Sequence, residues 1–106
     1  MAEKPVDKFA AFTAATTDTT VHTVSTNRKL TVTDIVVTNK ESGAVLITLW
    51  DGPSATGTKK LEIEVAATST KYIKSLKNGV TFRTSVVAQV NSYTNGSSIW
   101  IGGYEE

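Results

Sequence analysis

The chain has 106 residues, of which 40% are hydrophobic, with no cysteine and a formal net charge of +1. This length gives one domain with one core, and the missing cysteines exclude disulfides, thiolate metal sites and thiol nucleophiles. The small charge, with both signs spread along the chain, excludes the electrostatic footprint of a nucleic-acid or anionic-membrane binder. No apolar run spans a bilayer and no secretion signal opens the chain, so we expect synthesis in the cytoplasm.

Residues 1–15 are predicted to form an N-terminal arm or an edge segment. Residues 2–8 are polar and without periodicity, which indicates a flexible arm. Phe9 and Phe12 are three residues apart among alanines, a spacing that suits a short helix. The threonine-rich run at 16–20 favours an extended segment instead. We therefore prefer a strand or an arm, and keep helix and disorder open for this stretch.

Residues 30–50 carry the strongest strand signal and contain two strands joined by a polar turn at 40–43. In the first strand the apolar positions change parity: Leu30 and Val32 share one face, and Ile35 and Val37 share the other. A one-residue bulge near Thr33 and Asp34 would turn both pairs to the same side. The sequence thus predicts a bulge inside this strand.

The second of these strands is apolar on both faces. Its apolar residues are Val45, Ile47 and Leu49 on one face, and Leu46 and Trp50 on the other. This pattern predicts a central strand covered on two sides.

A loop is predicted at 51–58, where glycine, proline and serine cluster. Its two glycines suggest a phosphate-binding loop, but that motif needs lysine before threonine, and here Thr58 precedes Lys59. The next segment, 60–65, alternates with period two and predicts a strand, whereas a phosphate loop opens a helix. The sequence therefore does not favour phosphate binding at this loop.

The second half of the chain continues as short strands and turns. Residues 70–73 predict a short strand, and the Asn-Gly pairs at 78–79 and 95–96 predict tight turns. Between these turns one apolar face is interrupted at Thr84. In the last strand, 98–104, isoleucines oppose aromatic residues.

Seven or eight strands, separated by turns every ~8–12 residues and without a long helix, predict an all-β fold. An antiparallel β-sandwich, jelly-roll-like, would bury the apolar faces of two sheets against each other. We assign residues 16–106 to this single domain.

Few residues suit catalysis or metal binding. His22 is the only histidine, so a solvated or structural role is favoured for it. Glu62 and Glu64 share one face of a strand with Lys60, a pattern typical of a solvated face or a charge-guarded edge. The scattered aspartates form no calcium loop. We therefore predict no catalytic residues, no metal site and no cofactor.

The aromatic residues are the candidates for binding, as interface anchors or stacking groups. They are Trp50, Tyr93, Trp100 and Tyr104. The alternative, which we favour for Trp50 and Trp100, is that both tryptophans fill the sandwich core.

Several segments resemble small virion proteins of tailed phages. The matching segments are 20–24 (TVHTV), 32–39 (VTDIVVTN), 47–52 (ITLWDG), 76–82 (LKNGVTF) and 103–106 (GYEE). The resemblance covers most of residues 16–106.

This resemblance implies a non-enzymatic structural virion protein, either a capsid decoration protein or a head or tail accessory protein. Its expected location is the virion, and its expected partners are the major capsid protein or another virion protein. It would act as a homo-oligomer, with three copies the favoured number. Phe9, Phe12 and the last strand near Tyr104 would contact neighbours.

The alternative function is a carbohydrate-binding, lectin-like module. Trp50, Trp100 or Tyr93 would stack on sugar rings, and Asp51 and Asn95 would supply polar contacts.

Overall fold

A computed structural model describes residues 3–74 and 79–106 of the chain. These residues form nine strands and no helix, and therefore no helix that could cross a membrane. The strands are β1 (Lys4–Ala11), β2 (Thr19–Thr23), β3 (Leu30–Asn39), β4 (Val45–Asp51), β5 (Thr58–Val65), β6 (Thr70–Ile73), β7 (Val80–Phe82), β8 (Ser85–Val90) and β9 (Ser97–Glu105).

The strands form two antiparallel sheets that pack face to face. The β1 sheet has the order β1-β9-β3-β6, with β7 following β6 along the same side of β3. The β2 sheet has the order β2-β8-β4-β5. Apart from β4–β5 and β6–β7, each connection between successive strands crosses from one sheet to the other, which is the winding of a jelly roll. The predicted all-β sandwich is confirmed.

The described part of the chain has nine strands, whereas seven or eight were predicted. One reason is that the segment 80–90, which the sequence presents as one apolar face, forms two separate strands. Val80–Phe82 and Ser85–Val90 present one apolar face, but they belong to different sheets. The chain crosses between the sheets at Arg83 and Thr84, whose N–H groups donate to the Asp51 carboxylate at 3.0 and 2.9 Å. The interruption at Thr84 therefore marks a sheet crossing.

The N-terminal segment accounts for the other additional strand. Lys4–Ala11 pairs with β9 along its whole length, so these residues form an edge strand where a flexible arm was favoured. Val6 and Phe12 point into the core, and Phe12 is only 2% exposed. Phe12 is thus a core residue and is not available as an arm contact. The sequence lacked clear alternation here because Phe9, on the same strand, faces outward.

The predicted bulge in β3 is confirmed. The register between β3 and β9 shifts between Val32 and Asp34, and Leu30 and Ile35 on either side of it are both fully buried. The neighbouring strand comes very close at this point. A side chain on Gly103 would overlap the carbonyl oxygen of Thr31, so the pairing needs glycine there.

The two predicted Asn-Gly turns fare differently. Asn78 lies outside the described residues, while Gly79 has a φ of 68°. Asn95 does not have the positive φ that a type I′ turn needs, and residues 91–96 connect strands in different sheets. The prediction of a tight hairpin turn at 95–96 is therefore wrong.

Candidate functional site

One end of the sandwich holds a buried polar cluster. Glu105 is 4% exposed, and its carboxylate lies 2.9 Å from His22 Nε2 and 3.5 Å from Arg28 Nε. The hydrogen bond from His22 lowers the pKa of Glu105 by more than burial raises it, and Ser25 lowers it further. His22 therefore takes a structural role, because it ties β2 to β9.

A second polar cluster closes the opposite end. Glu41 is 3% exposed, and its carboxylate accepts hydrogen bonds from the N–H groups of Thr94, Asn95 and Gly96 at 2.5 to 3.0 Å. Asn39 donates to three backbone carbonyls and accepts from the Glu41 N–H at 2.8 Å. Sequence reasoning missed this cluster, since its partners are up to 55 residues apart in the chain.

Acidic residues elsewhere serve loops and surfaces. The described residues contain no group of three or more His, Asp or Glu side chains that could hold a metal ion. Asp18 accepts from the Ala55 N–H and from the Gln89 amide. Glu62 and Glu64 are exposed on β5, which is the edge strand of its sheet, as the charge-guarded pattern indicated.

Neither tryptophan fills the core, so the favoured interpretation of Trp50 and Trp100 is wrong. Trp50 is half-buried on the outer face of the β2 sheet, where Lys59 Nζ lies 5.4 Å from its ring centroid. Trp100 lies on the outer face of the β1 sheet, where its ring covers Gly102 and its indole N–H donates to Asp7. The inward positions belong to isoleucine and leucine neighbours on β9 and β4.

The two tyrosines proposed as anchors also lie in different parts of the molecule. Tyr93 is half-buried and packs against the core from the β8–β9 connection. Tyr104 is half-buried on β9 with Pro5 and Thr31 as its cross-strand neighbours. Because Trp50 and Trp100 lie on opposite outer faces, the structure does not bring them together as one stacking platform.

One apolar row crosses the outer face of the β1 sheet. Register pairs Phe9 with Trp100, Trp100 with Val36, and Val36 with Tyr72, so one side chain from each of four strands lies in line. Phe9 is 66% exposed and Tyr72 is 62% exposed. Among the described residues, these two are the large hydrophobic side chains that remain exposed. We call these four residues the apolar row.

A charged row runs beside the apolar row. Gly102 pairs with Asp7 on one side and with Asp34 on the other. Lys74 follows two residues after Tyr72 at the far edge, and its Nζ lies 5.7 Å from the Tyr72 ring centroid. The charged row thus has an acidic end at β1 and a basic end next to β6.

The outer face of the β2 sheet differs in character. Cross-strand neighbours there are Thr48 with Gln89 and Glu62, and Leu46 with Glu64. Trp50 pairs with Val87 on this face, but both are at least half-buried, and the other side chains are mainly polar or charged, as expected for a sheet face that remains in water. The outer face of the β1 sheet is therefore the candidate site of the molecule.

Comparisons with known proteins agree on the fold. No protein-family model and no curated protein matches the chain. A solved structure of the disulfide-linked pili formed by Bacillus endospore appendages is similar, with a TM-score of 0.62 and 17% identity over 97% of this chain and 86% of that chain. The crystal structure of PirA is also similar, with a TM-score of 0.51 and 15% identity over 95% of this chain and 92% of that chain. The shared feature is the fold.

Proposed function

We propose that this chain is a non-enzymatic structural protein that acts in many copies, through contacts with itself and with a larger particle. The apolar row carries the proposal, because Phe9 and Tyr72 are mostly exposed on a sheet face where polar side chains are the rule. The buried carboxylates Glu41 and Glu105 meanwhile hold loops and strands together.

The similarity to a pilus protein supports a structural role. Carried over to this chain, it suggests a rigid sandwich whose surfaces mediate assembly. This chain has no cysteine, so its contacts would be non-covalent, unlike the disulfide links of those pili. Surface complementarity would then have to supply the specificity.

Segments such as 32–39 and 47–52 resemble phage proteins, and on this basis we propose that the larger particle is a phage virion. On this proposal the chain is located in the virion, as a capsid decoration protein or a head or tail accessory protein. Its partner is the major capsid protein or another virion protein. In a symmetric array, many weak contacts sum to a stable attachment.

The test is co-sedimentation of the purified chain with candidate phage particles, after its mass in solution is measured by light scattering. We expect an oligomer that sediments with one class of particle in a fixed ratio to the capsid subunit. A monomer that binds none of the particles would contradict the proposal. A shift of tryptophan fluorescence on addition of a mixed glycan panel, without particle binding, would favour the carbohydrate-binding alternative.

A further inference from the structure

We propose that the outer face of the β1 sheet binds the same face of a second copy, around a two-fold axis parallel to the strands. The inference rests on the proposed structural function and names the surface through which copies meet. The surface consists of the apolar row and the charged row.

The shape of this face suits another sheet. Antiparallel sheets pack face to face at about 10 Å with their strands aligned to within about 30°. The apolar row spans all four strands, from Phe9 at one edge to Tyr72 at the other. A second sheet would therefore cover the whole row, which removes apolar surface from water.

The arrangement of charges on this face indicates that the partner bound there is a second copy of the chain. A two-fold axis parallel to the strands reverses the strand order and preserves the position along each strand. Phe9 then faces Tyr72 of the second copy, and Asp7 faces Lys74 of the second copy. The symmetry repeats both pairs, so the two edges of the face are complementary in apolar character and in charge.

A two-fold axis across the strands fails this criterion. It would place Phe9 on Phe9 and turn the charged row onto the row formed by Ala11, Ser98, Thr38 and Thr70. Asp7 would then face Ala11, and Lys74 would face Thr70. Both charges would lose water without gaining an opposite charge, which is unfavourable.

The centre of the face is already arranged for contact. The ring of Trp100 lies on Gly102, and its indole N–H is satisfied by Asp7. Little side-chain freedom remains to be lost when a partner covers the ring. Around the strand-parallel axis, Trp100 faces Val36 of the second copy, so an apolar side chain covers the ring.

The first test compares the mass of the wild type and the Phe9→Ser/Tyr72→Ser variant over a series of concentrations. Both side chains are mostly exposed, so the folded monomer tolerates the changes. We expect a dimer, or an even-numbered assembly, whose dissociation constant rises about tenfold or more in the variant. Leu46→Ser, on the outer face of the β2 sheet, is the control that leaves association unchanged.

The second test addresses the charges. Lys74→Glu would place a carboxylate opposite Asp7 of the second copy and weaken association, more strongly at low salt. Lys60→Glu makes the same charge change on the exposed edge strand β5 and is expected to leave association unchanged. Equal effects of both changes would show a general charge effect and overturn the pairing of Asp7 with Lys74.

The third test fixes the axis and uses the absence of native cysteine. Phe9→Cys chains and Tyr72→Cys chains are treated with a short bismaleimide, separately and mixed. We expect cross-linked dimers in the mixture and few in either sample alone, because equivalent positions are three strand spacings, ~14 Å, apart across the sheet. Efficient cross-linking of Phe9→Cys alone would overturn the strand-parallel axis.

Failure of this inference is distinguishable from failure of the proposed function. An assembly, including a trimer, whose mass the Phe9→Ser/Tyr72→Ser variant does not change overturns the face-to-face contact and leaves the structural role intact. A wild-type monomer at every concentration also overturns the contact. The absence of binding to any particle overturns the proposed function instead.

Discussion

His22 Nε2 lies 2.9 Å from Glu105 Oε1, and this hydrogen bond joins the two sheets at one end of the sandwich. His22 belongs to β2, and Glu105 lies near the end of β9 in the opposite sheet. Arg28 approaches the other carboxylate oxygen at 3.5 Å. The buried carboxylate is thus stabilised in its charged form, which makes the joint sensitive to acid.

We expect acid to weaken the protein through Glu105. Because the pKa of Glu105 is lowered in the folded state, its stabilising effect is fully present above the ordinary value of 4.5 and is lost as the pH falls through the folded pKa. At neutral pH, Glu105→Gln should lower the free energy of unfolding by roughly 1.5–3 kcal/mol. Urea unfolding of both proteins between neutral and acidic pH should show this difference shrinking, whereas a constant difference would contradict the prediction.

Glu41→Gln should destabilise the opposite end. The carboxylate accepts from three consecutive N–H groups, and an amide has only one accepting oxygen. The expected loss is roughly 1.5–3 kcal/mol in chemical unfolding. The control is Glu62→Gln, since the Lys59–Glu62 pair is half exposed and 3.8 Å apart, and should change stability by less than about 1 kcal/mol. Equal effects would refute the special role of Glu41.

Gly102→Ala should displace Trp100. The new methyl group would overlap the indole ring, so we expect a loss of about 1–3 kcal/mol and a shift in tryptophan emission. Gly43→Ala is the matched control, because a methyl group there meets nothing within 4 Å. A folded Gly102→Ala protein with unchanged emission and stability would show that the ring does not rest on Gly102 in solution.

Removal of residues 1–12 should destabilise the whole sandwich. The deletion removes edge strand β1 together with the buried side chains of Val6 and Phe12. Loss of one buried Phe side chain alone costs about 3–5 kcal/mol, so the unfolding midpoint in urea should fall sharply. Unchanged stability would show that this segment behaves as the free arm that the sequence suggested.

Structural features can be predicted from the sequence where the residue pattern within a single strand determines them. In β3, the buried apolar residues before Thr33 lie at even positions and those after it at odd positions. Both sets can point into one core only if a bulge adds one residue between them. In β5, alternation of charged and apolar residues indicates both the buried face and the exposed edge. The fold class follows from several such local patterns.

Contacts between distant segments could not be predicted from the sequence. The apolar row takes one side chain from each of four strands, and only the register brings Phe9 and Tyr72 into line with Trp100. The ties made by Glu41 and Glu105 likewise join segments 53 to 83 residues apart. A pattern within a single segment contains no record of such partners.

The pairing of Lys4 with Glu105 brings the first and last strands side by side in opposite directions. A short glycine-serine linker could therefore join the two chain ends without distorting either sheet. New ends could then be opened in a surface loop, and a guest peptide fused at both original ends would be displayed as a closed loop at one corner of the molecule.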